Sequence, residues 1–213
     1  MTSAAPFIAF EGGEGAGKST QIRLLAEHLD MADIAHVVTR EPGGTAAAEA
    51  IRELLLSGAD ARWNTRSEAL LFAAARADHV ARVIRPAMAS GQWLLCDRFV
   101  DSSRAYQSAG QGLDDGDIMQ LHSIGSEGLM PDITILLQIS QHEAVARIQQ
   151  RDGSDHDRFQ RRDADFHRQV SEAFARFAAN EPERFLVIDA ADSAENVHTA
   201  IVAGLHDRGY VTS

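Results

Sequence analysis

The sequence predicts an α/β fold: a three-layer α/β/α domain of P-loop type around a five-stranded parallel sheet. Three observations carry that reading. Short apolar runs alternate along the chain with stretches that are apolar at helical spacing. The octet Gly12-Gly13-Glu14-Gly15-Ala16-Gly17-Lys18-Ser19 stands directly between the first apolar run and the first helical stretch. Charged residues follow several of the apolar runs, at the carboxyl ends of strands, where open parallel sheets bind ligands.

Phe7-Ile8-Ala9-Phe10 is expected as the first buried strand, running straight into the glycine loop. From Lys18 to Leu29, apolar residues at Ile22, Leu25, Ala26 and Leu29 form one helical face. Ala35 to Thr39 is a second strand, and Thr45 caps a helix that extends to Leu56. Ser67 to Arg85 is a longer helix that Pro86 kinks or restarts. Trp93 to Cys96 is a third strand ending at Asp97, and a short helix starts at Asp101. Ile133 to Ile139 and Phe185 to Ile188 complete the sheet. Gln141 to Arg151, Phe166 to Ala179 and Ala194 to His206 are helices, and Asp192 with Glu195 resembles a capping box for the last. The almost wholly polar stretch from Asp152 to Arg162 fits either a solvated loop or a lid. Beside a phosphate-binding loop the lid is the expectation, at about 147–163.

A length of 213 residues suits one such domain. A net charge of −11 argues against a nucleic-acid binder, which needs a basic face, but leaves room for a nucleotide in a local positive pocket. Cys96 is the single cysteine, so no intramolecular disulfide and no cysteine metal cluster is possible; its apolar run predicts a buried, inert thiol. The first residues lack a signal-peptide pattern, and no apolar run approaches a membrane span, so a cytoplasmic protein is expected. The nine histidines show no metal-binding spacing with acidic partners, and His28, His36, His79 and His122 are expected at the surface.

The octet fits G-x-x-x-x-G-K-[ST], whose backbone N–H groups wrap a triphosphate where glycine permits positive φ and close approach. Of 20 basic residues Lys18 is the only lysine, and its compact ammonium can follow the β- and γ-phosphates while Ser19 ligates Mg²⁺. Residues Gly12, Gly13, Glu14, Gly15, Ala16, Gly17, Lys18, Ser19 and Thr20 are the candidate contacts to a nucleoside triphosphate. Asp97 can hold Mg²⁺ and Arg98 can grip a phosphate bidentately. In Arg40-Glu41-Pro42-Gly43-Gly44-Thr45 the turn itself needs no arginine, yet Arg40 projects toward the carboxyl edge of the sheet. Phe72 and Arg76 share a helix face, as do Ser102 with Tyr106 and Ser103 with Gln107. From spacing alone these last groups suit ordinary core and surface positions better than a nucleobase site.

Taken together, Phe10-Glu11-Gly12, Thr39 to Thr45, Leu71 to Arg76, Asp97-Arg98, Ser102 to Gln107 and Pro131 to Thr134 resemble the thymidylate kinases over nearly the whole chain. The resemblance implies phosphorylation of dTMP to dTDP by ATP with Mg²⁺, on the way to dTTP, in a homodimer. It implies that Arg40 and Arg98 hold the acceptor phosphate, Arg76 donates to thymine, and Phe72 stacks on it. Ser103 and Gln107 would contact the base edge, Tyr106 the sugar, and Glu14 the 3′-hydroxyl or the metal site. Phe99 stands where relatives carry Tyr or His, so it receives no role. Ala16 stands where some relatives place an arginine, so the catalytic guanidinium would come from the lid. Arg151 and Arg158 are the first candidates, joined to Lys18 and Arg98 as catalytic residues, with Arg147 and Arg161 behind them. The alternatives are another nucleoside monophosphate kinase, for UMP, CMP or AMP, and a nucleotide-binding P-loop regulator without turnover.

Overall fold

The computed structural model describes residues 5–57, 62–150 and 162–210. Strands β1 (Phe7–Glu11), β2 (His36–Arg40), β3 (Trp93–Asp97), β4 (Ile133–Gln138) and β5 (Phe185–Asp189) form one parallel sheet in the order β2-β3-β1-β4-β5. Strand β1 is central, between β3 and β4, so the loop leaving it opens where the chain's connections diverge to either side.

Successive strand residues point to opposite faces, and both faces are covered. Ile8 and Phe10 of β1 pack with Ile22, Leu25 and Leu29 of α1 (Lys18–Met31) and with Val197 and Ile201 of α9 (Ala194–Asp207). Phe7 and Ala9 point the other way, into a cluster with Leu94, Cys96, Ile84 and Phe99. A third cluster sets Leu136 and Phe185 under Phe166, Val170, Phe174 and Phe177 of α8 (Ala164–Asn180). Two-sided burial is why the strands are continuous apolar runs rather than alternating ones. Cys96 is fully buried, as expected, and burial pushes its thiol pKa well up.

Helix α2 (Ala46–Leu56) starts as predicted, with the Thr45 side chain accepting from Ala48 N at 3.0 Å. Helix α3 (Thr65–His79) passes through a wide π-type turn, Val80–Ile84, into α4 (Arg85–Ala89). Arg85 N–H donates five residues back to Val80 O, and Pro86, which has no N–H, follows inside the continuing helix. After α5 (Val100–Ser103) a second π-type turn, Arg104–Ala109, carries Tyr106 and Gln107. Helix α6 (Asp115–Ser126) is not predicted from the sequence. Its glycines weaken the helical signal, and one has a packing reason: a Cβ on Gly125 would meet Ala73 O and Ala77 Cβ at 3.4 Å. The last helix is capped by Ser193 rather than by Asp192, with Ser193 Oγ accepting from Asn196 N at 3.2 Å. Among the described residues no helix is long and apolar enough to cross a membrane.

Candidate active site

The glycine loop leaves β1 in a conformation closed to most side chains. Gly12 has φ 134°, and a Cβ there would lie 2.4 Å from Leu137 O. Gly17, at φ 93°, caps α1 without a side chain, so the first-turn N–H groups have no side-chain cap to displace. Lys18 is buried and folds back on the loop, with Nζ donating to Gly12 O at 3.0 Å and Gly13 O at 2.9 Å. Burial, and then the nearby Arg98 charge, lower the Lys18 pKa. Ser19 Oγ donates to Asp97 Oδ2 at 3.4 Å across the strand end. The other oxygen, Asp97 Oδ1, is buried without a hydrogen-bond partner among the described residues. A buried acceptor aimed at a strand end beside a serine hydroxyl fits a hard cation held mainly by phosphate oxygens.

A second, more apolar cavity adjoins this one. Phe72, Arg76, Phe99, Ser103, Tyr106 and Gln107 line it. The Arg76 guanidinium is only 4% exposed and held on two sides. Its Nε donates to Glu41 Oε2 at 2.7 Å and its Nη2 to Ser103 Oγ at 2.9 Å. The Phe99 ring lies under it at 5.4 Å. Glu41 also accepts from His79 Nδ1 at 3.0 Å, and His79 Nε2 is 2.7 Å from Thr39 Oγ1. His79 and His122 are thus buried structural residues, against the surface placement expected for them. For His79 the polar partners lie 40 and 38 positions away in sequence, beyond the reach of local spacing. Gly44 is fitted against this group: a Cβ there would meet His79 and Thr39 Oγ1 at 2.6–2.7 Å.

Arg98 joins the two cavities, in the left-handed conformation at φ 69°. Its Nη1 donates to Gly12 O at 3.3 Å and Ser102 Oγ at 3.2 Å, and its Nη2 to Glu14 Oε1 at 2.5 Å. Behind it Glu11 is fully buried and accepts from Phe99 N at 2.8 Å and Ser102 N at 3.0 Å. Burial raises the Glu11 pKa to about 7, with Arg98 opposing. Tyr106 packs over Arg98 at 5.2 Å. Arg40 lines the polar cavity and not the apolar one, and both oxygens of Glu49 lie 3.1 Å from its Nη2. Arg52, unforeseen from the sequence, lines both cavities and donates to Pro42 O at 2.8 Å. It stands on α2, just after the Arg40–Thr45 turn, and on a helix an arginine at one point of the surface carries no signal of its own.

With this geometry in view, a thymidylate kinase family model matches residues 10–201. The chain belongs to the thymidylate kinase family. A thymidylate kinase of Rhizorhabdus wittichii is 52% identical over 94% of this chain and 97% of its own length. One of Nitrobacter winogradskyi is 46% identical over 95% of this chain and 88% of its own. The crystal structure of the thymidylate kinase of Ehrlichia chaffeensis superposes with a TM-score of 0.78 at 32% identity, covering 95% of this chain and all of that one. The five-stranded parallel sheet with helices on both faces is this thymidylate kinase fold. Of the arginines expected in the lid, Arg151, Arg158 and Arg161 lie outside the described residues. Arg147, on α7 (Gln141–Gln150), donates from Nη2 to Ala190 O at 2.7 Å, and its Nη1 is 3.9 Å from a Cβ built on Gly17.

Proposed function

We propose that this chain transfers the γ-phosphoryl group of ATP to dTMP, giving dTDP, with the polar cavity as donor site and the apolar cavity as acceptor site. The observation that carries the reading is the shared wall: Glu14, Arg98, Arg52 and Glu41 line both cavities. Two phosphates of opposite origin would meet there. The acceptor phosphate is largely dianionic at neutral pH, since a phosphomonoester's second pKa is about 6, so no general base is required. The chain's work is positioning and charge stabilisation. Arg98, braced by Gly12, Ser102 and Glu14, and Arg52 would hold the acceptor phosphate, with Arg40 at the rim beside it. Lys18 would exchange its loop carbonyls for the β- and γ-phosphates. Ser19 and Asp97 would hold Mg²⁺, which when bound supplies charge neutralisation between those phosphates.

In the acceptor cavity Phe72 would stack on the base and Arg76 would donate to the thymine O4. Tyr106 would pack against the sugar, and Glu14 stands where it can meet the 3′-hydroxyl or the metal site. Arg151 and Arg158 would supply the catalytic guanidinium of the transferring group, closing over both sites as a lid. The reading includes a cytoplasmic homodimer, for which sedimentation at micromolar concentration is the check. A coupled assay for ADP release across dTMP, dUMP, dCMP, UMP, CMP and AMP tests the substrate. Turnover with dTMP well above the others is expected, and equal turnover with AMP would overturn the acceptor assignment.

A further inference from the structure

We propose that Glu68 is a positioning residue for base selection: it fixes the Gln107 amide so that a carbonyl oxygen, not an NH₂ group, meets N3 of the acceptor base. The inference rests on the acceptor-site reading above. Glu68 lies on α3 one turn before Phe72 and two before Arg76, and is 1% exposed. Its Oε1 accepts from Gln107 Nε2 at 2.9 Å and from Gln111 Nε2 at 2.6 Å. An amide can turn either end toward a partner, but a carboxylate only accepts. The carboxylate therefore takes the NH₂ end of Gln107, a residue of the cavity wall, and leaves the carbonyl end for the base.

That polarity is what a thymine needs. Its N3 carries a hydrogen and its O4 accepts; cytosine presents the reverse at both positions, an acceptor at N3 and an amino group at C4. Arg76 can only donate, and Glu41 and Ser103 hold it in place, so it reads the O4 position. It says nothing about N3. A carbonyl of fixed orientation on Gln107 reads that second atom, and the two together reject cytosine twice.

The test is the ratio of kcat/KM for dTMP to that for dCMP. In Glu68→Gln the side chain offers an NH₂ as well as an oxygen, so the Gln107 amide is no longer held to one orientation and can turn its NH₂ toward N3. The ratio is expected to fall about tenfold or more, since a site built to pair with one hydrogen-bonding pattern discriminates strongly against the other. dUMP, which shares thymine's N3 and O4, should decline with dTMP. The exchanged pair Glu68→Gln with Gln107→Glu returns an acceptor to the cavity and should recover the dTMP preference. A merely structural role would lower both substrates together. An unchanged ratio in Glu68→Gln, or a folded exchanged pair without dTMP preference, overturns the proposal. If Glu68→Gln does not fold, the exchanged pair decides alone. An unaltered enzyme that fails to prefer dTMP over dCMP would instead overturn the acceptor-site reading itself.

Discussion

Replacing Glu41 by glutamine keeps the shape of a buried charged group in the wall of the apolar cavity and removes its charge. Arg76 and Glu41 are 4% and 5% exposed, and their contact is 2.7 Å. Breaking a buried pair by removing one charge costs about 3–5 kcal/mol, because the remaining ion is left in a poor solvent. Glutamine retains one accepting oxygen for Arg76, and its NH₂ can donate to His79 Nδ1 once that ring changes tautomer and donates from Nε2 to Thr39 Oγ1, 2.7 Å away. The hydrogen bonds can thus be rebuilt, and the loss is mainly the ionic part, about 3 kcal/mol. For a domain of this size 1 kcal/mol moves Tm by roughly 2–4 °C, so Tm should fall by about 6–12 °C. Urea unfolding gives the free energy directly. The double variant Glu41→Gln with Arg76→Met should lose clearly less than the two single losses added, since no charge is left stranded. A Glu41→Gln loss below about 1 kcal/mol, or strict additivity, would refute the assignment of Arg76 as a charge held by Glu41.

Lys18→Ala should cut turnover by about a hundredfold or more while the dissociation constant for dTMP, read by calorimetry, changes little. Because Lys18 is the only lysine, a lysine-selective reagent should inactivate the enzyme and ATP should protect it; mass spectrometry of the modified peptide checks the site. Asp97→Asn should raise the Mg²⁺ concentration for half-maximal activity by roughly tenfold, with activity restored at saturating metal. Glu11 has a folded pKa raised to about 7 from 4.5, so its contribution favours the folded state below 4.5 and is lost as pH rises through 7. The Tm of the unaltered protein should therefore fall from pH 5 to pH 8 more steeply than that of Glu11→Gln, and parallel slopes would exclude the buried carboxyl as the source.

The parts of the molecule visible in the sequence are those whose physics is local. Strand β1, the glycine loop and α1 follow from a seven-residue reach of apolar spacing and glycine placement, and they sit where expected. The pairing of Phe72 with Arg76 on one helix face also holds, because helical periodicity is local. The partners that hold Arg76 were not legible: Glu41 is 35 positions away and Ser103 is 27. No spacing rule reaches across a chain crossover, so His79 is expected at the surface and Glu68 carries no signal of its own. Arg52 carries no local signal for the same reason; only the fold brings this residue of α2 to the wall of both cavities.

The end of β3 explains why one arginine lines both cavities. Arg98 N–H donates to Phe10 O at 3.0 Å, so the backbone of the residue is tied to the central strand just before the glycine loop. Its left-handed φ of 69° turns the side chain back over that loop rather than onward along the sheet. The following residues then enter α5, with Phe99 N and Ser102 N held by Glu11; α5 brings Ser103, and the π-type turn after it brings Tyr106 and Gln107, to the wall of the apolar cavity. Asp101 anchors the same helix to the far side, accepting from Arg184 Nη1 at 2.6 Å and Arg104 Nη1 at 3.0 Å. The glycine loop and the segment that lines the apolar cavity are therefore braced through a single turn, Asp97 to Ser102. Phosphoryl transfer between two sites would need the distance between them fixed more than it would need either site to be tight, and the turn from Asp97 to Ser102 is built to fix it.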